Sequence, residues 1–186
     1  MILKDLAIIL TNTTRSQAYL QAMVKNQLLP SEVILMSGNI KRPRLIYENY
    51  KSFFDINEQL STTLKDNSIK YMTVETKDIN HEIVIENVKN LSSKIIIFTG
   101  GGILKKDILN LGKKFIHCHP GILPEYRGST CFYYSILEKG NCGCSVFIMD
   151  EKIDNGKVLY QKIYKVKSKV DFDYVFDPWM RADSLI

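Results

Sequence analysis

The feature that most constrains this chain is a regular alternation of short apolar runs with longer segments of helical period. Residues 6–10 read LAIIL, 32–36 EVILM and 94–100 KIIIFTG. A strand with one wet face alternates apolar and polar residues, whereas a nearly continuous apolar run suits a strand buried on both faces. Between these runs, 16–29 (SQAYLQAMVKNQLL) places Leu20, Met23, Val24 and Leu28 on one helical face. Ser16 or Thr14 is the expected cap of that helix. Further strands are expected at 70–75, 114–119, 144–150 and 157–166. Further helices are expected at 45–66, 80–91, 103–112, closed by Gly112, and 129–140, ending at Gly140. Such alternation predicts an α/β fold with an open, mostly parallel sheet, its last strand pair antiparallel through the turn 154–156 (DNG). Ligands lie beyond the carboxyl ends of such strands, which here means the loops 11–15, 37–44, 99–102 and 119–128. Residues 1–168 read as one domain. Residues 169–186 read as a loop and a helix start near Pro178 that stops abruptly enough to allow for a truncated chain.

Composition narrows the function classes. Apolar residues make up 45% and charged residues 24% of the chain, enough to bury a core. No apolar run reaches the ~18 residues of a membrane span, and the N-terminus lacks the features of a signal peptide. A cytoplasmic protein with no membrane partner is expected. The four cysteines, Cys118, Cys131, Cys142 and Cys144, form neither a disulfide framework nor a zinc spacing, and read as reduced, partly buried thiols. The net charge of +5 is spread out. Its densest patch, Lys41–Arg44, lacks interleaved aromatics, so solvated lysines or a phosphorylated small molecule are expected before nucleic acid.

Three motifs carry chemistry. The run Gly100-Gly101-Gly102 closes a central strand; it lacks the spacing and the position of a dinucleotide fingerprint, and suits close backbone approach to a planar ligand. The loop TNTTRS (11–16) precedes a helix, so Thr11, Asn12 and Arg15 are candidates to receive a substrate phosphate. The stretch FIHCHPGILPEYRGS (115–129) sets His117 and His119 two apart on a strand, hence on one side. Two chemistries fit: metal ligation with Asp154 as third ligand, or one imidazole as general base and the other as donor to a developing oxyanion. Alternation sends Cys118 to the opposite, core face.

The segment HCHPGILPEYRGS, followed by CSVFIMDEKIDNGKVLYQ, resembles the formyltransferase family that uses 10-formyltetrahydrofolate, over roughly residues 1–165. The H-P, L-P, Y-R-G and I-D-N-G elements stand in the family's order. The resemblance implies a Rossmann-like, twisted sheet with helices on both faces. It implies His119 as catalytic histidine and Asp154 as its partner. It places the folate against the 100–104 turn (Gly100, Gly101, Gly102, Ile103, Leu104) and the 149–154 loop with Asp150, and the amine acceptor on the other side, where Thr11, Asn12, Arg15, Gly121 and Arg127 are the candidate residues. Where the family has asparagine, whose amide donates to the formyl oxygen, this chain has His117; where it often has serine, this chain has Gly121.

The expected reaction is transfer of a formyl group from 10-formyltetrahydrofolate to an amine of a small molecule, an amino sugar nucleotide foremost, with His119 moving the proton, His117 stabilising the oxyanion and no metal. About twenty residues follow Val166, fewer than a transfer-RNA-binding domain needs, so no nucleic acid partner is expected; a homodimer is compatible. The alternatives are a formyltetrahydrofolate hydrolase, a metal-dependent hydrolase through His117, His119 and Asp154, and a non-catalytic binder.

Overall fold

A computed structural model describes residues 1–37, 53–167 and 170–186. In chain order the elements are β1 (Ile2–Thr11), α1 (Thr14–Lys25), β2 (Leu29–Met36), α2 (Leu60–Asp66), β3 (Met72–Val74), α3 (Glu82–Asn90) and β4 (Ile95–Phe98). There follow α4 (Lys106–Leu109), β5 (Lys114–His119), α5 (Cys131–Lys139), β6 (Asn141–Ile148), β7 (Val158–Lys165) and α6 (Asp177–Leu185). One seven-stranded sheet results, in the order β3-β2-β1-β4-β5-β6-β7. The first five strands run parallel. Both β5–β6 and β6–β7 are antiparallel, one more reversal than the sequence pattern predicts.

The continuous apolar runs do bury both faces. Ile8 and Leu10 of β1 pack with Leu20 of α1 and Met180 of α6 on one side. Ala7 and Ile9 pack with Val84 and Val88 of α3 on the other. Each such fully buried aliphatic side chain stabilises the fold by about 1.5–3 kcal/mol.

Several expectations need correction. The first helix is capped by Thr13, whose side chain accepts the Ser16 N–H, and not by Ser16 or Thr14. Ser16 is instead buried, its hydroxyl accepting the Thr11 N–H at 3.0 Å. Helix 103–112 shrinks to the single turn α4, capped at Asn110, with Gly112 in the turn beyond. Of the helix expected over 45–66, only α2 forms among the described residues, preceded by turns from 53. The 41–44 patch and most of the 37–44 loop lie outside the described residues. Helix α6 begins at Asp177 with Pro178 in its first turn, as Pro's fixed φ favours. It is no loose appendage. Met180 is fully buried, and Phe132 and Phe172 stack with centroids 4.6 Å apart, joining α5 to the wide turn that leads into α6.

Candidate active site

The strand order reverses direction at β1 and β4, the place where the carboxyl ends of a doubly wound sheet open a crevice. A cavity of about 510 Å³ lies there, lined by Arg15, the 100–104 turn, His117, His119, the 149–154 loop and Arg181. Its apolar walls are Phe98, Phe147, Met149 and Ile153.

Hydroxyl contacts tie its two inner loops together. Thr99 donates to the Ile9 carbonyl at 2.8 Å. That spends its only proton, so the Ser16 hydroxyl donates to Thr99 at 2.7 Å. The turn after β4 is thereby fastened to the start of α1, and Arg15 Nη1 reaches the Thr99 carbonyl at 3.4 Å. Gly100, Gly101 and Gly102 carry φ values of 153°, 122° and 110°, a run that residues with a Cβ rarely adopt. Backbone rather than side chains therefore forms this wall.

Strand β5 delivers both imidazoles to the cavity. Both rings meet the edge or face of Phe147, with centroids at 6.0 Å for His117 and 6.5 Å for His119. His119 is buried. Its Nε2–H donates to the Tyr126 carbonyl at 2.8 Å, and its Nδ1 faces Asp154 Oδ1 at 3.4 Å. Burial holds its pKa below the ordinary imidazole value, against the opposing pull of Asp154 and the Tyr126 carbonyl. Asp154 Oδ2 accepts the Gly128 N–H at 2.9 Å, so one carboxylate joins the motif loop to the turn before β7. Cys131 packs against the pair, its Sγ 3.3 Å from His119 Nε2 and donating to the Pro120 carbonyl at 3.2 Å. Burial pushes this thiol up to about 11, so it stays protonated.

His117 is half-buried, and its Nδ1 lies 3.2 Å from the Phe98 carbonyl. Burial, with Arg181 and Arg15 facing it, holds its pKa well below the ordinary imidazole value. Behind it runs a charge chain, buried at Arg181 and Asp177 and partly exposed at Arg15. Arg181 Nε donates to Asp177 Oδ1 at 2.8 Å, and Arg181 Nη1 donates to the Cys118 carbonyl at 2.8 Å. Arg15 Nη2 approaches Asp177 Oδ2 at 3.8 Å.

Of the residues singled out in the sequence, His117, His119, Asp154, Gly100, Gly101, Gly102, Ile103, Leu104, Asp150 and Arg15 line this one cavity. Four do not. Thr11 is buried, with its hydroxyl near those of Thr13 and Ser16. Asn12 lines a neighbouring cavity of about 270 Å³ with Met36, Ser37 and Gln59. Gly121 is buried where an added Cβ would come within 2.6 Å of the Tyr126 carbonyl and 2.7 Å of Cys131 Sγ, so it serves packing. Arg127 is exposed and reaches Asn155 at 3.3 Å. Arg181 was missed; the i,i+4 spacing of Asp177 and Arg181 on a helix was its one sequence signal.

All four cysteines are free and buried. Among the described residues no three His, Cys, Asp or Glu side chains are disposed to hold a metal ion. The Nε2–H of His119 is already given to the Tyr126 carbonyl. Among the described residues no helix is long and apolar enough to cross a membrane.

A family model described as "Formyl transferase" matches residues 4–177. Among curated relatives, the methionyl-tRNA formyltransferase of Borreliella afzelii (strain PKo) is 36% identical over 94 residues, covering 46% of this chain and 30% of that protein. That of Pelagibacter ubique (strain HTCC1062) is 38% identical over 109 residues, covering 56% and 34%. The chain thus spans about a third of the length of these curated relatives. Among solved structures, phosphoribosylglycinamide formyltransferase from Streptococcus pneumoniae TIGR4 superimposes with TM-score 0.64 at 14% identity, over 98% of this chain and 92% of that one. A sugar N-formyltransferase from Shewanella sp. gives 0.59 at 17%, over 97% and 66%. A formyltetrahydrofolate deformylase from Pseudomonas syringae pv. tomato gives 0.67 at 15%, over 98% and 58%. At such identities the likeness speaks to the fold, a Rossmann-like α/β sheet. Membership rests on the family match, which runs through nearly all of the sequence: the chain belongs to the formyl transferase family.

Proposed function

We propose that this protein transfers a formyl group from 10-formyltetrahydrofolate to an amine of a small molecule, an amino sugar nucleotide being the leading candidate. The observation that carries the reading is the pairing of His119 with Asp154 at 3.4 Å on the rim of a cavity walled by a glycine turn. The donor substrate suits that cavity. A flat, partly apolar heterocycle needs close backbone approach on one side, which the 100–102 turn offers, and apolar walls on the other, which Phe147, Met149 and Ile153 offer.

In this reading the chain's residues divide the work. The 100–104 turn and Asp150 hold the donor. Arg15 draws the acceptor's phosphate toward the start of α1. As the acceptor nitrogen bonds to the formyl carbon, a positive charge develops on that nitrogen and a negative charge on the formyl oxygen. Buried His119 and half-buried Asp154 sit beside that point, and a proton entering between Nδ1 and Oδ1 turns two facing acceptors into an ion pair. Preorganised charge of this kind is worth several kcal/mol in a dry site.

A second reading, transfer to the amine of methionyl-tRNA, is favoured by the curated relatives, which carry that name. Transfer to water is a third outcome, in keeping with the deformylase neighbour. The test is incubation with 10-formyltetrahydrofolate labelled in the formyl group, together with amino sugar nucleotides, methionyl-tRNA or no amine. Labelled formamide on a sugar nucleotide is the expected product. Label appearing only on methionyl-tRNA moves the reading to that acceptor, label appearing only as formate makes the protein a hydrolase, and no turnover of the donor under any condition overturns formyl transfer.

A further inference from the structure

We propose that His117 Nε2 is the proton acceptor of this site, taking a proton from the attacking amine and returning it to the leaving nitrogen of the folate. The inference rests on the formyl-transfer reading above and reverses the donor role expected of a residue standing in for asparagine.

The geometry fixes the tautomer. A carbonyl oxygen only accepts, so the 3.2 Å contact between His117 Nδ1 and the Phe98 carbonyl requires the proton on Nδ1. In a neutral ring that leaves Nε2 with a lone pair. The ring is held neutral by its surroundings: Arg181 from α6 and Arg15 from α1 face it, and His119 stands beside it on β5. On the far side Asp150, Glu151, Lys152 and Asp154 of the loop after β6 line the same cavity. Among the described residues Nε2 has no hydrogen-bond partner, while the ring lines the cavity and rests against Phe98 and Phe147. In His119 the Tyr126 carbonyl takes the Nε2–H, and the one lone pair, on Nδ1, faces the Asp154 carboxylate at 3.4 Å. Among the described residues, the imidazole nitrogen of this site that no protein oxygen faces is therefore His117 Nε2. An asparagine amide could not do the same, having no basic atom.

The step balances without an outside reagent. The amine nitrogen bonds to the formyl carbon, and its proton passes to His117 Nε2. The bond from that carbon to the folate nitrogen breaks, and the same proton moves to the departing nitrogen. No atom changes oxidation state, and His117 ends as it began. The positive potential of Arg15 and Arg181, which line the cavity, is left to face the formyl oxygen.

Two measurements test this. The chain has three histidines, so long-range proton–nitrogen correlation spectra of protein labelled with nitrogen-15 histidine are readily assigned with a His117→Asn variant. The expected result is a neutral Nδ1–H ring at position 117 at pH 7. An Nε2–H tautomer or an imidazolium at that pH overturns the proposal, whether or not the protein turns over any amine. In kinetics, His117→Asn should lower kcat about 100-fold or more with KM little changed, and should remove an acidic limb of the pH profile. A variant as active as the parent, with that limb intact, overturns it too. If no amine is formylated by the parent protein, formyl transfer fails as the function, and the spectra alone decide the state of His117.

Discussion

Asp154 Oδ1 lies 3.4 Å from His119 Nδ1 while Asp154 Oδ2 accepts the N–H of Gly128, so a single carboxylate clasps the 119–128 loop from two directions. Asp154 achieves this from a left-handed backbone, φ 50°, which Asp and Asn tolerate better than other residues with a Cβ. Replacing it by asparagine keeps that tolerance and one acceptor oxygen, whereas alanine loses both. Asp154→Ala should therefore unfold at a lower urea concentration than Asp154→Asn, the gap amounting to about 1–2 kcal/mol. Equal midpoints would show that neither the backbone shape nor the Gly128 bond contributes.

The Asp177–Arg181 pair is buried on both sides, and Arg181 also serves the Cys118 carbonyl. Two charges withdrawn from water repay that cost only while both are present, and removing one costs about 3–5 kcal/mol. Arg181→Met strands Asp177 beside the partly exposed Arg15. It should lower the thermal midpoint by roughly 10 °C or more, read by circular dichroism. The double replacement Asp177→Leu with Arg181→Met should recover much of that loss.

The glycine turn predicts a contrast between two positions. Gly101 has φ 122°, and a Cβ there would stand 3.3 Å from both Ile79 Cβ and Met36 Cε. Gly112 has φ 73°, with nothing within 4 Å of an added Cβ. Both substitutions to alanine should cost about 1–2 kcal/mol of stability through backbone strain. Only Gly101→Ala should also weaken donor binding, measured by calorimetric titration with a non-transferable folate.

Protonation of the two site histidines opposes folding. Both His117 and His119 have folded-state pKa values below their unfolded values. Their contribution is fully present above about pH 6.5, the unfolded imidazole value, and is lost as pH falls through the lower folded values. Urea midpoints should be flat from pH 7 to 8 and should drop on acidification below about 6. The drop should shrink in His117→Gln, in which one of the two groups no longer titrates.

What the sequence could reveal depended on how local the cause was. The apolar runs at 6–10 and 94–100 announce doubly buried strands because burial on both faces removes every reason for polar residues. The β5 limits, Lys114–His119, follow from the same pattern. Gly140 marks the end of α5 because its φ of 66° needs a glycine. The residues alone grouped Asp154 with the two histidines only as a third metal ligand; its place as the partner of His119 came through resemblance, since no local pattern joins them. The tautomer of His117 was not legible at all. It depends on where the Phe98 carbonyl points once β4 ends, a fact of tertiary placement. The same holds for Arg181, whose tail reads as a loop and a helix start until α6 is seen folded into the core, and for Gly121, whose need for space comes from Cys131 packing across it.

The central claim is that His119 and Asp154 work as one unit in formyl transfer, and a double-mutant cycle on kcat/KM tests it most directly. His119→Asn and Asp154→Asn should each lower the transfer rate by a factor on the order of 100 or more. The double variant should be no slower than the worse of the two, because an ion pair is lost when either member is gone. Losses that multiply in the double variant, or a single variant that transfers formyl at the parent rate, would contradict the account.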